Sequence, residues 1–136
     1  MKIPFDASES PPAIRVIVEL QHTVDPRRRL GPIVAKIDTA ASISAVPIDC
    51  AIRLGLVGGG FGRIVMADAV ARPMPLFRTH ISLEDVHAKS NMLVIGRKSE
   101  EALLGRDFIN ALCLCTDGRA DRFWIASELS ELKSEL

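Results

Sequence analysis

Asp38 is the residue of this sequence whose neighbours best suit acid–base chemistry. A largely apolar segment (33–37) leads into it, and a hydroxyl, Thr39, and two small residues, Ala40 and Ala41, follow it. Backbone amides can come close to a carboxylate in such a turn and stabilise its charge. The pattern therefore predicts a carboxylate placed for general acid–base catalysis. An aspartate that only caps a turn has the same local pattern, so both interpretations stand at this point.

The histidines and cysteines lack the partners that their usual chemistry needs. The three histidines share no metal-binding spacing, and each is expected at the surface. They are His22, His80 and His87. The three cysteines have no evident activating partner and are too few for a disulfide scaffold or a four-ligand zinc site. They are Cys50, Cys113 and Cys115. The sequence thus predicts no metal, no cofactor and reduced thiols.

The composition indicates one globular domain. The chain has 136 residues, of which 48% are hydrophobic and 25% charged, and its 17 basic residues balance its 17 acidic ones. A zero net charge argues against a nucleic-acid-binding surface, which normally carries a basic excess. No apolar run is long enough to cross a membrane, and the first residues lack the apolar core of a signal peptide. We therefore expect a cytoplasmic protein without nucleic-acid or membrane partners.

Short strands must position Asp38. Apolar and polar residues alternate over 14–20 and again over 33–37, and this period of two predicts two strands paired as a hairpin. Pro47 and Gly55 mark the start and end of a short helix. Further strands are predicted at 63–66, 77–83, 92–95, 103–104, 112–115 and 122–125, with the turn signal Asp117-Gly118 between the last two. A second helical turn is expected within 107–112.

The two ends of the chain flank the predicted domain, which covers 13–126. Residues 1–12 are expected to be a loose segment. Residues 127–136 are predicted to form an amphipathic helix that docks on this chain or on a partner, because leucines recur there at spacings of three and four. With about seven to nine short strands and two short helices, the domain is mainly β, of barrel or sandwich type.

Two segments together resemble the signatures of retroviral-type aspartic peptidases. Residues 34–44 are similar to the family's active-site segment, in which apolar residues precede Asp-Thr/Ser-Gly-Ala and small or apolar residues follow. Residues 102–110, Ala-Leu-Leu-Gly-Arg-Asp-Phe-Ile-Asn, resemble its second signature, two aliphatic residues before Gly-Arg-Asp/Asn and a short helix. The resemblance extends over 13–126, and the closing strands are similar to those of bacterial and retroelement members.

The resemblance implies a fold and a mechanism. The fold is a retropepsin-like acid-protease β-barrel with a flap hairpin and one or two short helices, here followed by the C-terminal helix. The chemistry needs two carboxylates that share a proton and activate a water molecule. Since this chain has one Asp-Thr-Ala-Ala segment, the resemblance implies a homodimer that hydrolyses an extended peptide or protein with one Asp38 from each copy.

The resemblance also implies roles for single residues. Asp38 would be the catalytic carboxylate, and Thr39 would link the two active-site loops across the dimer. The backbone at Ala40 would meet the substrate. The rest of the active-site loop would be Ala41 and Ser42, and the structural motif beneath it would be Gly105, Arg106 and Asp107.

Two segments compete for the flap, the hairpin that covers the substrate in this family. One is the glycine run Gly58, Gly59 and Gly60, which on composition alone is predicted to be a mobile turn. The other is the expected hairpin tip at Ala67, Asp68 and Ala69.

Two departures from the family pattern keep rival functions open. Ala40 replaces the family's glycine, and its methyl group can crowd a substrate. Ser42 replaces the acidic partner that many viral members give the signature arginine, so Arg106 needs another partner, and Asp107 is the candidate. One rival is a non-catalytic relative that binds a peptide along a sheet edge or mediates assembly. The other is a small β interaction domain in which Asp38 only caps a turn.

Overall fold

Strands dominate the chain, which a computed structural model describes over residues 1–65, 68–83, 86 and 88–136. In chain order the strands are β1 (Lys2–Pro4), β2 (Arg15–Gln21), β3 (Arg29–Ile37), β4 (Ala45–Pro47), β5 (Val57–Val65), β6 (Ala71–Leu83), β7 (Ala88–Arg97), β8 (Ala102–Leu104), β9 (Cys113–Asp117) and β10 (Arg122–Ala126). The helices are α1 (Ile48–Leu54), α2 (Arg106–Ile109) and α3 (Leu129–Glu135). The predicted mainly β fold with short helices and a C-terminal helix is confirmed.

Six of the strands close into a barrel. Neighbours in the series β2, β3, β8, β4, β7 and β6 are hydrogen-bonded to each other, and β6 pairs back onto β2 with Ile81 opposite Leu20. Closure pairs each of these strands on both sides. The strand β5 pairs with β6 outside the closed ring, and β1, β10 and β9 form a separate three-stranded sheet.

Alternating apolar residues of the strands form the core. Val16, Val18 and Leu20 of β2 are at most 4% exposed, as their period of two predicts. Phe108 of α2 and Phe123 of β10 belong to the same buried cluster, so the three-stranded sheet shares the core of the barrel. Each side chain of this size contributes about 1.5–3 kcal/mol when it is fully buried.

A parallel pairing brings the two signature segments together. Strand β3 runs parallel to β8, with Ile37 opposite Leu104, so both strands end at the same place. Asp38 follows the first strand and Gly105 follows the second. Segments that are far apart in the sequence thereby become neighbours at one end of the barrel.

The first twelve residues, for which composition predicts a loose segment, include a strand and two ion-pairing carboxylates. Residues 2–4 form β1, which pairs with β10. The side chain of Arg15 contacts the carboxylates of Asp6 and Glu9 at 3.1 and 2.7 Å, and that of Glu101 at 2.9 Å. The partner strand β10 lies far along the chain and Arg15 lies just outside the segment, so composition within 1–12 carries no sign of either.

The glycine run lies inside a strand, so the prediction of a mobile turn there is wrong. Gly58, Gly59 and Gly60 belong to β5, whose pairing with β6 shifts register between Gly58 and Phe61. Gly60 has a positive φ of 80°, which glycine adopts without strain and which suits a bulge. A Cβ at Gly59 would come within 2.4 Å of the Leu93 side chain. The glycines therefore permit a bulge and close packing.

The tip of the β5–β6 hairpin lies near the second flap candidate. Asp68 and Ala69 are in the turn that precedes β6, and Ala69 has a φ of 62°. Ala67, and Met66 at the end of the predicted strand 63–66, lie outside the described residues.

The short helices begin and end close to the predicted residues. Pro47 precedes α1, and Gly55 ends it with a φ of 59°. Helix α3 packs against β9 and β10 with Leu132 buried, whereas Leu129 and Leu136 are exposed. None of the helices within the described ranges has the length and apolar character that a membrane crossing requires.

Candidate active site

The Asp38 carboxylate is held by its own turn. Its backbone N–H donates to the Leu104 carbonyl at 3.0 Å, which continues the pairing of β3 with β8. Its Oδ1 accepts the backbone N–H of Ala40 at 2.9 Å, and the Ala41 N–H donates to the Asp38 carbonyl at 3.2 Å. The side chain is half-buried. One carboxylate oxygen is thus fixed by the turn.

Alanine fits the turn at position 40. Among the described residues other than glycine, a positive φ occurs only at Ala69 and Asp121, so Ala40 has a negative φ. An alanine meets no backbone strain under that condition. Alanine therefore costs the turn nothing in conformation, and relative to glycine it adds one methyl group at the surface of the site.

Ser44 and Asp107 join the two signature segments. Ser44 is fully buried, and its N–H and Oγ–H donate to the two carboxylate oxygens of Asp107 at 2.9 and 2.6 Å. The Ser44 Oγ in turn accepts the Gly105 N–H at 2.9 Å. This chain of hydrogen bonds ties the segment after Asp38 to the start of α2.

Arg106 supports the Asp38 turn from the second signature. Its backbone N–H donates to the Ala41 carbonyl, and its Nη1 donates to the Thr39 carbonyl, each at 2.8 Å. The prediction that Arg106 pairs with Asp107 is wrong. The Asp107 carboxylate is already occupied by Ser44, and the guanidinium has a carbonyl acceptor on the turn instead.

Gly105 is required by the closeness of these segments. A Cβ at that position would lie 2.8 Å from the Ala41 carbonyl oxygen and 3.0 Å from backbone atoms of Ile43. These neighbours are backbone atoms and cannot rotate away. The predicted structural motif of Gly105, Arg106 and Asp107 thus lies directly against the active-site loop.

A groove of about 480 Å³ opens beside the Asp38 turn. Its lining comes from three parts of the fold, namely the turn, the β5–β6 hairpin and the barrel strands. The turn contributes Asp38, Ala40, Ala41 and Ser42; the hairpin contributes Ile64, Val65 and Met74; the rest of the lining is Ile43, Ala45, Ile95, Arg97 and Leu103. A carboxylate therefore faces a mostly apolar groove that a long hairpin borders.

Two residues, one beneath the site and one in the groove, carried no signal of their positions in the sequence. Ser44 lies within the signature segment, but nothing local distinguishes a buried serine from an exposed one. Arg97 follows the apolar run 92–95 and joins the groove only through the pairing of β7 with β4. Thr39, by contrast, did stand out in the sequence. It is exposed, and its backbone carbonyl oxygen accepts a hydrogen bond from Arg106 Nη1.

The histidines and cysteines lie outside this groove, within the part of the chain that the structure describes. His22 is 7% exposed, so its predicted surface position is wrong. Its Nδ1 accepts the N–H groups of Val24 and Asp25, and its Nε2 donates to the Gly55 carbonyl at 3.0 Å. His80 is half-buried, and His87 lies outside the described residues.

The three cysteines are unpaired thiols. Burial raises the pKa of the Cys50 thiol and so disfavours the thiolate that nucleophilic catalysis needs.

Solved structures of two proteases are similar to this chain. A retropepsin-like aspartic protease from Rickettsia conorii matches with a TM-score of 0.56 and 14% identity, over 93% of this chain and 91% of that chain. EIAV protease, solved with the inhibitor HBY-793, matches with a TM-score of 0.49 and 22% identity, over 72% of this chain and 86% of that chain. No protein-family model and no curated protein matches the sequence.

The chain therefore has the retropepsin-like fold. At 14% identity, the likeness to the Rickettsia conorii protease establishes the architecture and carries no statement about activity. Any function has to be argued from the Asp38 turn and the groove.

Proposed function

We propose that the chain is an aspartic endopeptidase that acts as a homodimer. The observation that carries the proposal is the Asp38 carboxylate, which is fixed on one oxygen by the Ala40 N–H and lines the groove next to the β5–β6 hairpin. The likeness in fold to a retropepsin-like aspartic protease supports the same conclusion.

A second carboxylate has to come from another copy of the chain. Asp38 is the only carboxylate that lines the groove among the described residues. Asp68 is bound by Arg72 in the hairpin turn, and Asp107 is bound by Ser44. A two-fold axis that brings two Asp38 turns together would supply both carboxylates from one sequence position.

The reaction follows from two adjacent carboxylates. Two negative charges a few ångströms apart do not both persist, so the pair holds one proton. The ionised Asp38 takes a proton from a water molecule, whose oxygen attacks the peptide carbonyl carbon. The protonated partner donates its proton to the carbonyl oxygen, which gives a tetrahedral diol. The first carboxyl then passes the proton taken from water to the amide nitrogen as the C–N bond breaks, and the partner recovers a proton from a diol hydroxyl as the carbonyl forms again.

The β5–β6 hairpin is suited to act as the flap. Ile64, Val65 and Met74 bring apolar side chains to the groove, and an extended peptide between hairpin and turn would be shielded from water. The tip at Asp68 and Ala69 is then the flap tip, and the glycine run forms part of the strand behind it.

Cleavage of a peptide library by wild-type protein and by Asp38→Asn tests the proposal. We expect cleavage by the wild type at mildly acidic to neutral pH and none by the variant, because asparagine cannot act as the base. The variant should fold normally, since an amide oxygen can accept the Ala40 N–H as the carboxylate does. Turnover by well-folded Asp38→Asn protein would remove Asp38 from the mechanism.

A peptide-binding protein without catalysis is the second candidate. The observation in its favour is that Ala40 lines the groove, where a methyl group takes space that glycine would leave to a substrate. Binding of extended peptides by the wild type, with no cleavage at any protein concentration, would favour this candidate over the peptidase.

A further inference from the structure

Arg97 is a positively charged side chain on the wall of the groove. It is the last residue of β7, and together with Ile95 it lines the same groove as Asp38. The other side of this strand is filled, because a Cβ at the intervening Gly96 would lie 2.6 Å from the Phe77 ring. Alternation along the strand thus directs Arg97 to the groove.

The charge of Arg97 has no counterion in the described part of the chain. Its Nη2 donates to the neutral Ser99 hydroxyl at 3.3 Å, and its buried Nε has no acceptor. Arg15 and Arg72, by contrast, each have a carboxylate within hydrogen-bond distance. A half-buried guanidinium without a counterion is costly in an apolar setting, and a ligand carboxylate would relieve that cost.

We propose that Arg97 selects peptides with an aspartate or glutamate side chain near the scissile bond. The proposal rests on the proposed function, since it takes the groove to bind an extended peptide. A guanidinium can grip a carboxylate with two parallel hydrogen bonds, which confers both charge and geometric specificity. The rest of the lining, apart from Asp38 and Ser42, is apolar and offers an acidic side chain no other charged partner.

The dimer extends the preference to both sides of the bond. Each copy contributes one Asp38 turn and one Arg97, so a two-fold axis through the paired carboxylates places one guanidinium on either side of it. We therefore expect acidic residues at one position before the scissile bond and at a corresponding position after it.

Binding of paired peptides to Asp38→Asn protein tests this without requiring cleavage. A fluorescent peptide with glutamate moved along successive positions is compared with its glutamine twin by anisotropy. We expect about tenfold tighter binding of the glutamate peptide at the favoured positions, with a smaller ratio at higher salt. Arg97→Gln should bring the ratio close to one, and Arg97→Lys should retain part of it.

Lys98→Gln is the matched control. It removes the same unit of charge from the neighbouring, exposed residue, and the glutamate preference should persist. Equal binding of both peptides by protein with Arg97 intact, or an equal loss of preference in Lys98→Gln, would overturn the proposal.

Cleavage of the same peptides by protein with Asp38 intact separates the two proposals. Glutamate-selective binding without any cleavage would reject the peptidase and keep the Arg97 assignment. Cleavage without glutamate preference would keep the peptidase and reject the Arg97 assignment. Absence of peptide binding would reject both proposals.

Discussion

Side chains around Asp38 fall into two groups, those that hold the turn and those that face the groove. Ser44, Asp107 and Arg106 hold the turn through hydrogen bonds across the two signatures. Ala40 and Ser42 face the groove. Substitutions in the first group should therefore change the free energy of unfolding, and substitutions in the second group should act mainly on the substrate.

Ser44→Ala should lower the free energy of unfolding by about 2 kcal/mol, because the buried Gly105 N–H and one Asp107 oxygen lose their partner. Ser42→Ala is the control, since this serine is exposed, and it should stay within about 0.5 kcal/mol of the wild type. Urea denaturation of the two variants measures the difference. Equal stability of both would mean that the Ser44 network does not hold the turn.

Ala40→Gly tests whether the methyl group obstructs catalysis. Because Ala40 has a negative φ, glycine gains no favourable conformation and should cost about 0.5–1 kcal/mol of stability through chain entropy. We expect peptide cleavage to change little. A rise of about tenfold or more in kcat/KM, equivalent to roughly 1.4 kcal/mol of barrier, would show that alanine blocks the substrate.

Among the secondary-structure elements, the junction of β8 with α2 determines how closely the second signature approaches the Asp38 turn. Gly105 lies at this junction, and the Ala41 carbonyl accepts the N–H of the next residue, Arg106. The parallel pairing of β3 with β8 brings the Asp38 turn and the second signature to the same end of the barrel. The geometry of the site thus depends on backbone packing as much as on its side chains.

Gly105→Ala should destabilise the protein by about 2–3 kcal/mol, because the added Cβ meets backbone atoms that cannot move aside. Gly118→Ala is the matched control, since a Cβ there meets nothing within 4 Å. Thermal unfolding of both variants should show a lower Tm for the first and an almost unchanged Tm for the second. An unchanged Tm of Gly105→Ala would mean that the Asp38 turn and the second signature can move apart without loss of stability.

At the level of the whole molecule, the proposed active site requires two chains. The groove of one copy contains one described carboxylate, so activity should depend on protein concentration and decline on dilution through a dimer dissociation constant. Sedimentation velocity over the same concentrations gives the fraction of dimer. Undiminished activity of a protein that sediments only as a monomer would contradict the shared site.

The dimer can be tested further by mixing. When wild-type protein is equilibrated with an equal amount of Asp38→Asn protein, about half of the wild-type chains pair with an inactive copy. Activity per wild-type chain should therefore fall to about one half, whereas Gly118→Ala protein, which keeps Asp38 and is changed outside the groove, should not inhibit in this way. No inhibition by the Asp38→Asn copy would mean that each chain works alone.

Local patterns in the sequence were sufficient for much of the fold. Several predicted features reflect local conformational preferences of the chain or the burial of one face of an element. They are the alternation in β2 and β3, the Pro47 and Gly55 boundaries of α1, the hairpin at Asp117 and the leucine spacing of α3. The mainly β fold and its retropepsin-like architecture followed from these patterns together with the two signatures. The catalytic role of Asp38 remains a prediction.

Tertiary structure alone decided what those elements contact. The strand at 2–4, the strand conformation of Gly58–Gly60 and the burial of His22 depend on partners far along the chain. The hydrogen bond between Ser44 and Asp107 and the position of Arg97 in the groove also depend on such distant partners. A propensity or a period describes neighbours in sequence, whereas a hydrogen bond or a groove forms between segments that only chain packing brings together.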